Sequence, residues 1–229
     1  MSTEDRDNLY ILEEENEDID TSPRNFAAYE DEERIEENND EQTEEVNKSA
    51  FSLLIRIMFN RVEGWKRLRR SNISIENLQS GCFYPILAFL AISKFADYFY
   101  SVNVTLTKII SEAIIAFVAY FFGFFCIAMI LNWFLPQEVA EKFDSKFGKE
   151  YTIVALSTLA LFSIITDLLP MLWPILIFLP IWTLYIMFKG VRFFKLPPNQ
   201  ETKFYVISSA SVIGIPLLIE WALASVLPY

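Results

Sequence analysis

Residues 109–135 read IISEAIIAFVAYFFGFFCIAMILNWFL, with one charged side chain, Glu112, near the start. The stretch is apolar on every face of a helical wheel, unlike the one-sided stripe of a helix that packs at an aqueous surface. At 1.5 Å per residue, about 20 such residues cross a hydrocarbon core about 30 Å thick. Four more runs of similar length follow from the same reading, at 81–100, 151–169, 170–188 and 204–227. The expectation is an all-α polytopic bundle of five transmembrane spans over residues 81–229.

The formal net charge of -11 averages two different polymers. Residues 1–46 carry 19 acidic and 3 basic residues, and the remainder is net basic. A segment so poor in apolar side chains cannot bury enough surface to offset its ordering entropy, which predicts a disordered acidic tail over 1–46. Short apolar patches at Leu9, Tyr10, Ile11, Leu12 and at Phe26, Tyr29 are candidate docking motifs within it. No apolar h-region precedes residue 81, so the first span is expected to act as an uncleaved anchor. Cys82 and Cys126 fall in or beside spans and read as small apolar residues rather than a disulfide.

Lys and Arg near span ends set orientation, because they are retained on the cytoplasmic side. Lys48, Arg56, Arg61, Lys66, Arg67, Arg69 and Arg70 precede the first span. Lys142, Lys146 and Lys149 separate the second and third, and Lys189, Arg192, Lys195 and Lys203 the fourth and fifth. The other side receives Lys108 alone. This predicts a cytoplasmic N-terminus and an external C-terminus. The aromatic residues agree, with Tyr84, Trp133, Tyr151 and Tyr205 as an inner belt and Tyr98, Tyr100, Trp173, Trp221 and Tyr229 as an outer one. The third and fourth spans are separated only at Asp167 and Pro170, where a tight reversal is expected. One long tilted helix there would reduce the spans to four and break the charge rule.

Residues 47–80 join tail to bundle, and within them 49–70 reads as a single amphipathic helix. Phe51, Leu54, Ile57, Met58, Val62, Trp65 and Leu68 share one face. Arg56, Asn60, Glu63, Lys66, Arg67 and Arg70 share the other. A basic helix of this kind lies in the headgroup plane, drawn to anionic lipid by about 1 kcal/mol per basic group. The acidic tail is another ligand for that face, and packing against the bundle is the third reading. Arg56, Lys66, Arg67, Arg69 and Arg70 are the candidate lipid or partner contacts. The run Val139, Ala140, Phe143, Phe147 repeats the apolar stripe.

Ionisable residues within spans are functional candidates because charge in hydrocarbon is costly. Lys94, Asp97, Glu112, Asp167 and Glu220 all fall in the outer half of the bundle and form a candidate polar cluster. Lys94 can pair with Asp97 at i, i+3, or serve as the partner of Glu220. Pro85, Pro174, Pro180 and Pro216 are expected to bend spans. Ala116, Ala119 and Gly123, and separately Ala210 and Gly214, offer small faces for close helix contact. The chain has no His, which excludes Ser-His, Cys-His and His-metal chemistry. Asp97 and Asp167 lack flanking glycines of an intramembrane aspartyl protease. No catalytic, cofactor or metal site is expected, and no nucleic-acid partner.

The order of parts carries a resemblance. Phe59-Asn60-Arg61-Val62-Glu63-Gly64-Trp65 precedes a first span opening with Tyr84-Pro85, and Lys195-Leu196-Pro197-Pro198-Asn199 precedes a last span containing Gly214-Ile215-Pro216. Over about residues 50–227 the chain resembles the Yip1 family of five-span proteins, most closely its bacterial members. Eukaryotic relatives join an Asp-Leu-Tyr-Gly-Pro type motif in the cytosolic region to Rab GTPase association; this tail has no such motif. The resemblance implies a non-enzymatic multi-pass protein in a bacterial cytoplasmic membrane, or in the ER or Golgi of a eukaryote. Its expected role is to organise the membrane or partner proteins from its cytoplasmic face. The alternative is a small-solute or ion transporter using the outer charged cluster.

Overall fold

The computed structural model describes residues 50–71, 73–100, 105–134, 145–176, 178–194 and 196–226, all within the compact unit Thr43–Tyr229. The acidic tail with its apolar patches, Lys48, Val139, Ala140, Lys142, Phe143, Lys195 and Tyr229 lie outside the described residues, as does the side chain of Trp173. Among the described residues there are eight helices and no strand. They are α1 (Ala50–Phe59), α2 (Arg61–Arg70), α3 (Ile75–Tyr100), α4 (Leu106–Phe134), α5 (Ser145–Leu168), α6 (Trp173–Leu176), α7 (Leu179–Val191) and α8 (Pro198–Val226).

Four of these, α3, α4, α5 and α8, are long and apolar enough to cross a membrane. The helices start before the apolar runs where polar caps allow it. Ser74 accepts the Asn77 backbone N–H at 3.1 Å to begin α3, and Thr105 accepts that of Lys108 at 3.4 Å to begin α4. The fourth apolar stretch is instead broken into a 3₁₀ turn at Pro170–Leu172, then α6 and α7. Prolines at 170, 174 and 180 each remove a backbone donor, and the pieces divide at them.

The chain reverses within that stretch. Tyr151, near the start of α5, donates its hydroxyl to the carbonyl of Met187, near the end of α7, at 3.4 Å. This antiparallel contact rules out one long helix and makes five passes between two ends of a bundle. Proline also shapes α3. Pro85 cannot donate to Gly81, and just before it residues Gln79–Phe83 widen into a π-turn, with Tyr84 N–H reaching Gln79. Against α4, the Pro216 ring of α8 lies 3.5 Å from the place a Gly123 Cβ would occupy. The Ala116, Ala119, Gly123 face is thus the buried seam with α8, whereas nothing lies within 4 Å of a Cβ added at Gly214.

The entry segment departs from the single amphipathic helix expected over 49–70. It bends at Asn60 into two helices that fold back on one another, so that a Cβ on Gly64 would stand 2.6 Å from the Ile57 Cα. Only glycine permits that approach. The hairpin does not lie free in the headgroup plane: Leu54, Ile57, Trp65 and Leu68 are buried with the bundle's core, while Phe51 and Val62 of the expected apolar face stay exposed.

Candidate functional site

Two polar sites occupy opposite ends of the bundle. At the entry end, the hairpin is held by Trp65. Its indole N–H donates to the Ile186 carbonyl at 3.2 Å, and its ring packs 5.6 Å from that of Tyr151. Gly190 of α7 makes the room, since a Cβ there would meet the indole at 2.8 Å. Phe147, Phe194 and Phe204 complete an aromatic cluster around Tyr151. Tyr151 is therefore fully buried rather than part of an interfacial belt, whereas Trp133 is 85% exposed. Of the loop stripe, Phe147 alone is described, and it belongs to this core.

Clamping the apolar face leaves the basic one outward. Arg56, Lys66, Arg67, Arg69 and Arg70 are all exposed. Arg69 donates to the Phe193 carbonyl, so it also ties α2 to the turn after α7. Arg61 lies 3.9 Å over the Trp182 ring and 4.6 Å over Tyr185, a cation–π stack at the same end. The three arginines in the last turn of α2 suit its negative dipole end.

At the other end, α3, α4, α5 and α8 bring all five intramembrane ionisable residues around two adjoining cavities. The first, about 310 Å³, is lined by Lys94, Asp167 and Glu220 with Tyr120, Ser163 and Thr166 and apolar walls. The second, about 380 Å³, is lined by Lys94, Asp97, Glu112 and Glu220. Lys94 pairs with Asp167 at 2.9 Å, not with Asp97, and Ser93 donates to the same carboxylate at 2.8 Å. A 3₁₀ turn at Lys94–Ala96 lies at this point of α3. Glu112 is 3.7 Å from Lys108 on its own helix. Glu220 shares both cavities with Lys94 but makes no hydrogen bond among the described residues. Tyr120 and Ser163 share a 3.1 Å hydrogen bond beside them.

Sequence reasoning missed Ser93, Tyr120 and Ser163, because hydroxyls in an apolar run carry no charge signal. It also missed the partnership of Lys94, which is set by the fold across 73 positions. The cavities are lined by Lys94 and several carboxylates in a largely apolar setting, an arrangement that can hold a cation or move a proton.

No curated protein and no solved structure matches the chain. The family model for the Yip1 domain matches residues 55–220, from α1 to Glu220 of α8. That match runs from within α1 through α2 and the bundle as far as the polar cluster, and on it the chain belongs to the Yip1 domain family.

Proposed function

We propose that this protein is a non-enzymatic organiser of the membrane, working from a cytoplasmic face built by the entry hairpin. The observation that carries the reading is the division of that hairpin: Trp65, Leu54, Ile57 and Leu68 are sunk in the bundle, and Arg56, Lys66, Arg67 and Arg70 project from it. A rigid anchor costs the charges little further ordering entropy on binding, so each contributes more of its attraction. The natural counter-surface is anionic lipid in the adjacent leaflet. Lipid co-purified with the full chain should be enriched in phosphatidylglycerol over phosphatidylcholine when both are supplied equally. Changing Arg56, Lys66, Arg67 and Arg70 to Gln should remove most of that enrichment. An unchanged lipid ratio in the quadruple variant defeats the reading.

The ionic cluster supports a second reading, passage of a small cation or proton through the outer half of the bundle. Its supporting observation is Glu220, a carboxylate within α8 that lines two cavities and has no hydrogen-bond partner among the described residues. Val226 closes α8 six residues later, placing Glu220 about 9 Å from the helix end. Proteoliposomes should then show cation or proton flux that Glu220→Gln abolishes. Flux equal to that of protein-free liposomes excludes this reading.

A further inference from the structure

The fold of the entry segment does more than expose basic residues. In a straight helix Arg56 and Arg67 would lie about 16 Å apart along the axis, at 1.5 Å per residue. The bend at Asn60 and the Gly64–Ile57 approach instead bring α1 and α2 together, so that Ser52, Leu53 and Arg56 of the one line the same cavity as Arg67 of the other. The mouth of this hairpin encloses a cavity of about 210 Å³ lined by Arg56 and Arg67, with Ser52, Ser71, Leu53 and Ile73. Neither arginine has an ion pair or a ring contact among the described residues. Ser71 donates its hydroxyl proton to the Leu68 carbonyl, and Ser52 makes no side-chain hydrogen bond among the described residues.

The geometry points to this mouth as a binding site for a phosphomonoester group, held between the guanidinium groups of Arg56 and Arg67. The inference rests on the reading of this face as anion-facing and names its ligand. Two planar guanidinium groups offer paired N–H donors that match phosphate oxygens, and two positive charges match a group carrying about -1.5 to -2 at neutral pH. A phosphodiester has one negative charge and fewer free oxygens, so it fits less well. Lys66 and Arg70 lie outside the cavity lining and supply only a general field. Phosphatidate headgroups and free phosphate present the same chemistry.

The test compares two full-chain double variants that remove equal charge, Arg56→Gln/Arg67→Gln and Lys66→Gln/Arg70→Gln. Short-chain phosphatidate and phosphatidylglycerol are titrated separately into detergent-purified protein, and bound lipid is read by native mass spectrometry. The native chain should prefer phosphatidate about tenfold, the order expected for one added charge-assisted hydrogen bond. That preference should vanish in the first variant and persist in the second. Arg56→Lys/Arg67→Lys guards against a folding defect: it keeps the charge and should lose the selectivity while still binding both lipids. Inorganic phosphate that displaces phosphatidate identifies the phosphate group as sufficient, and failure to displace it identifies the lipid headgroup; both fit the site. Equal loss in the two charge-matched variants overturns the site while leaving the basic surface standing. No loss in either variant overturns both.

Discussion

Gly64→Ala should open the entry hairpin, although the same change in an exposed helix interior would favour helix by about 1 kcal/mol. The added methyl would stand 2.6 Å from the Cα and 2.8 Å from the backbone nitrogen of Ile57. Those atoms are main chain and cannot rotate away, so relief requires α1 and α2 to separate. Overpacking in a filled site costs about 1–3 kcal/mol even where side chains can shift. Separation would also expose Leu54 and Ile57, now 1% and 0% exposed. Limited trypsin digestion of the reconstituted full chain measures the effect. Cleavage at Arg61, Lys66 and Arg67 should accelerate at least tenfold in the variant, with the spans remaining intact. Unchanged cleavage would mean that the two helices are not in backbone contact.

Trp65→Ala should be the most destabilising side-chain truncation in the chain. The indole is fully buried, packs on Tyr151 and Phe147, fills the place left by the absent Gly190 side chain, and satisfies the Ile186 carbonyl. Large aromatic truncations in cores cost about 3–5 kcal/mol, and the cavity here resists collapse because two different passes, α5 and α7, line it. Trp65→Phe keeps much of the ring and loses the hydrogen bond, so its cost should be about 1 kcal/mol. Thermal unfolding in detergent should rank native, Phe and Ala in that order, with the Ala variant also releasing α2 to protease. A Phe variant as unstable as the Ala variant would shift the weight from packing to the Ile186 hydrogen bond.

The spans were legible because the property that selects a membrane helix, an unbroken apolar run of sufficient length, is local in sequence. Their ends were less so. α5 extends back to Ser145, with Lys149 exposed and Lys146 standing 3.7 Å from the buried Glu150 on the same helix. The hairpin was hidden for a different reason: its apolar spacing runs through Asn60 without a break, as in one helix. The available signal was Gly64, a helix-breaking residue in an otherwise good helical pattern. What it permits, a backbone contact with Ile57, is tertiary.

The polar cluster was legible as a set and not as a network. Lys94, Asp97, Glu112, Asp167 and Glu220 stand out because each is costly in hydrocarbon, and the bundle brings all five to the same end. Which of them pair depends on how α3 and α5 face one another. The local i, i+3 pairing of Lys94 with Asp97 gives way to Asp167, which accepts from both Lys94 and Ser93. A carboxylate with two donors is better compensated than one with a single neighbour on the same helix.

The basic hairpin stands at one end of the bundle and the ionic cluster at the other. Labelling intact cells with a membrane-impermeant maleimide tests this most directly, using the full chain with Cys82 and Cys126 changed to Ala and a single cysteine restored at Glu63 or Tyr98. Both positions are exposed, the first in α2 and the second at the far end of α3. Glu63→Cys should label only after permeabilisation, and Tyr98→Cys before it. Equal labelling of the two positions in intact cells would contradict the account.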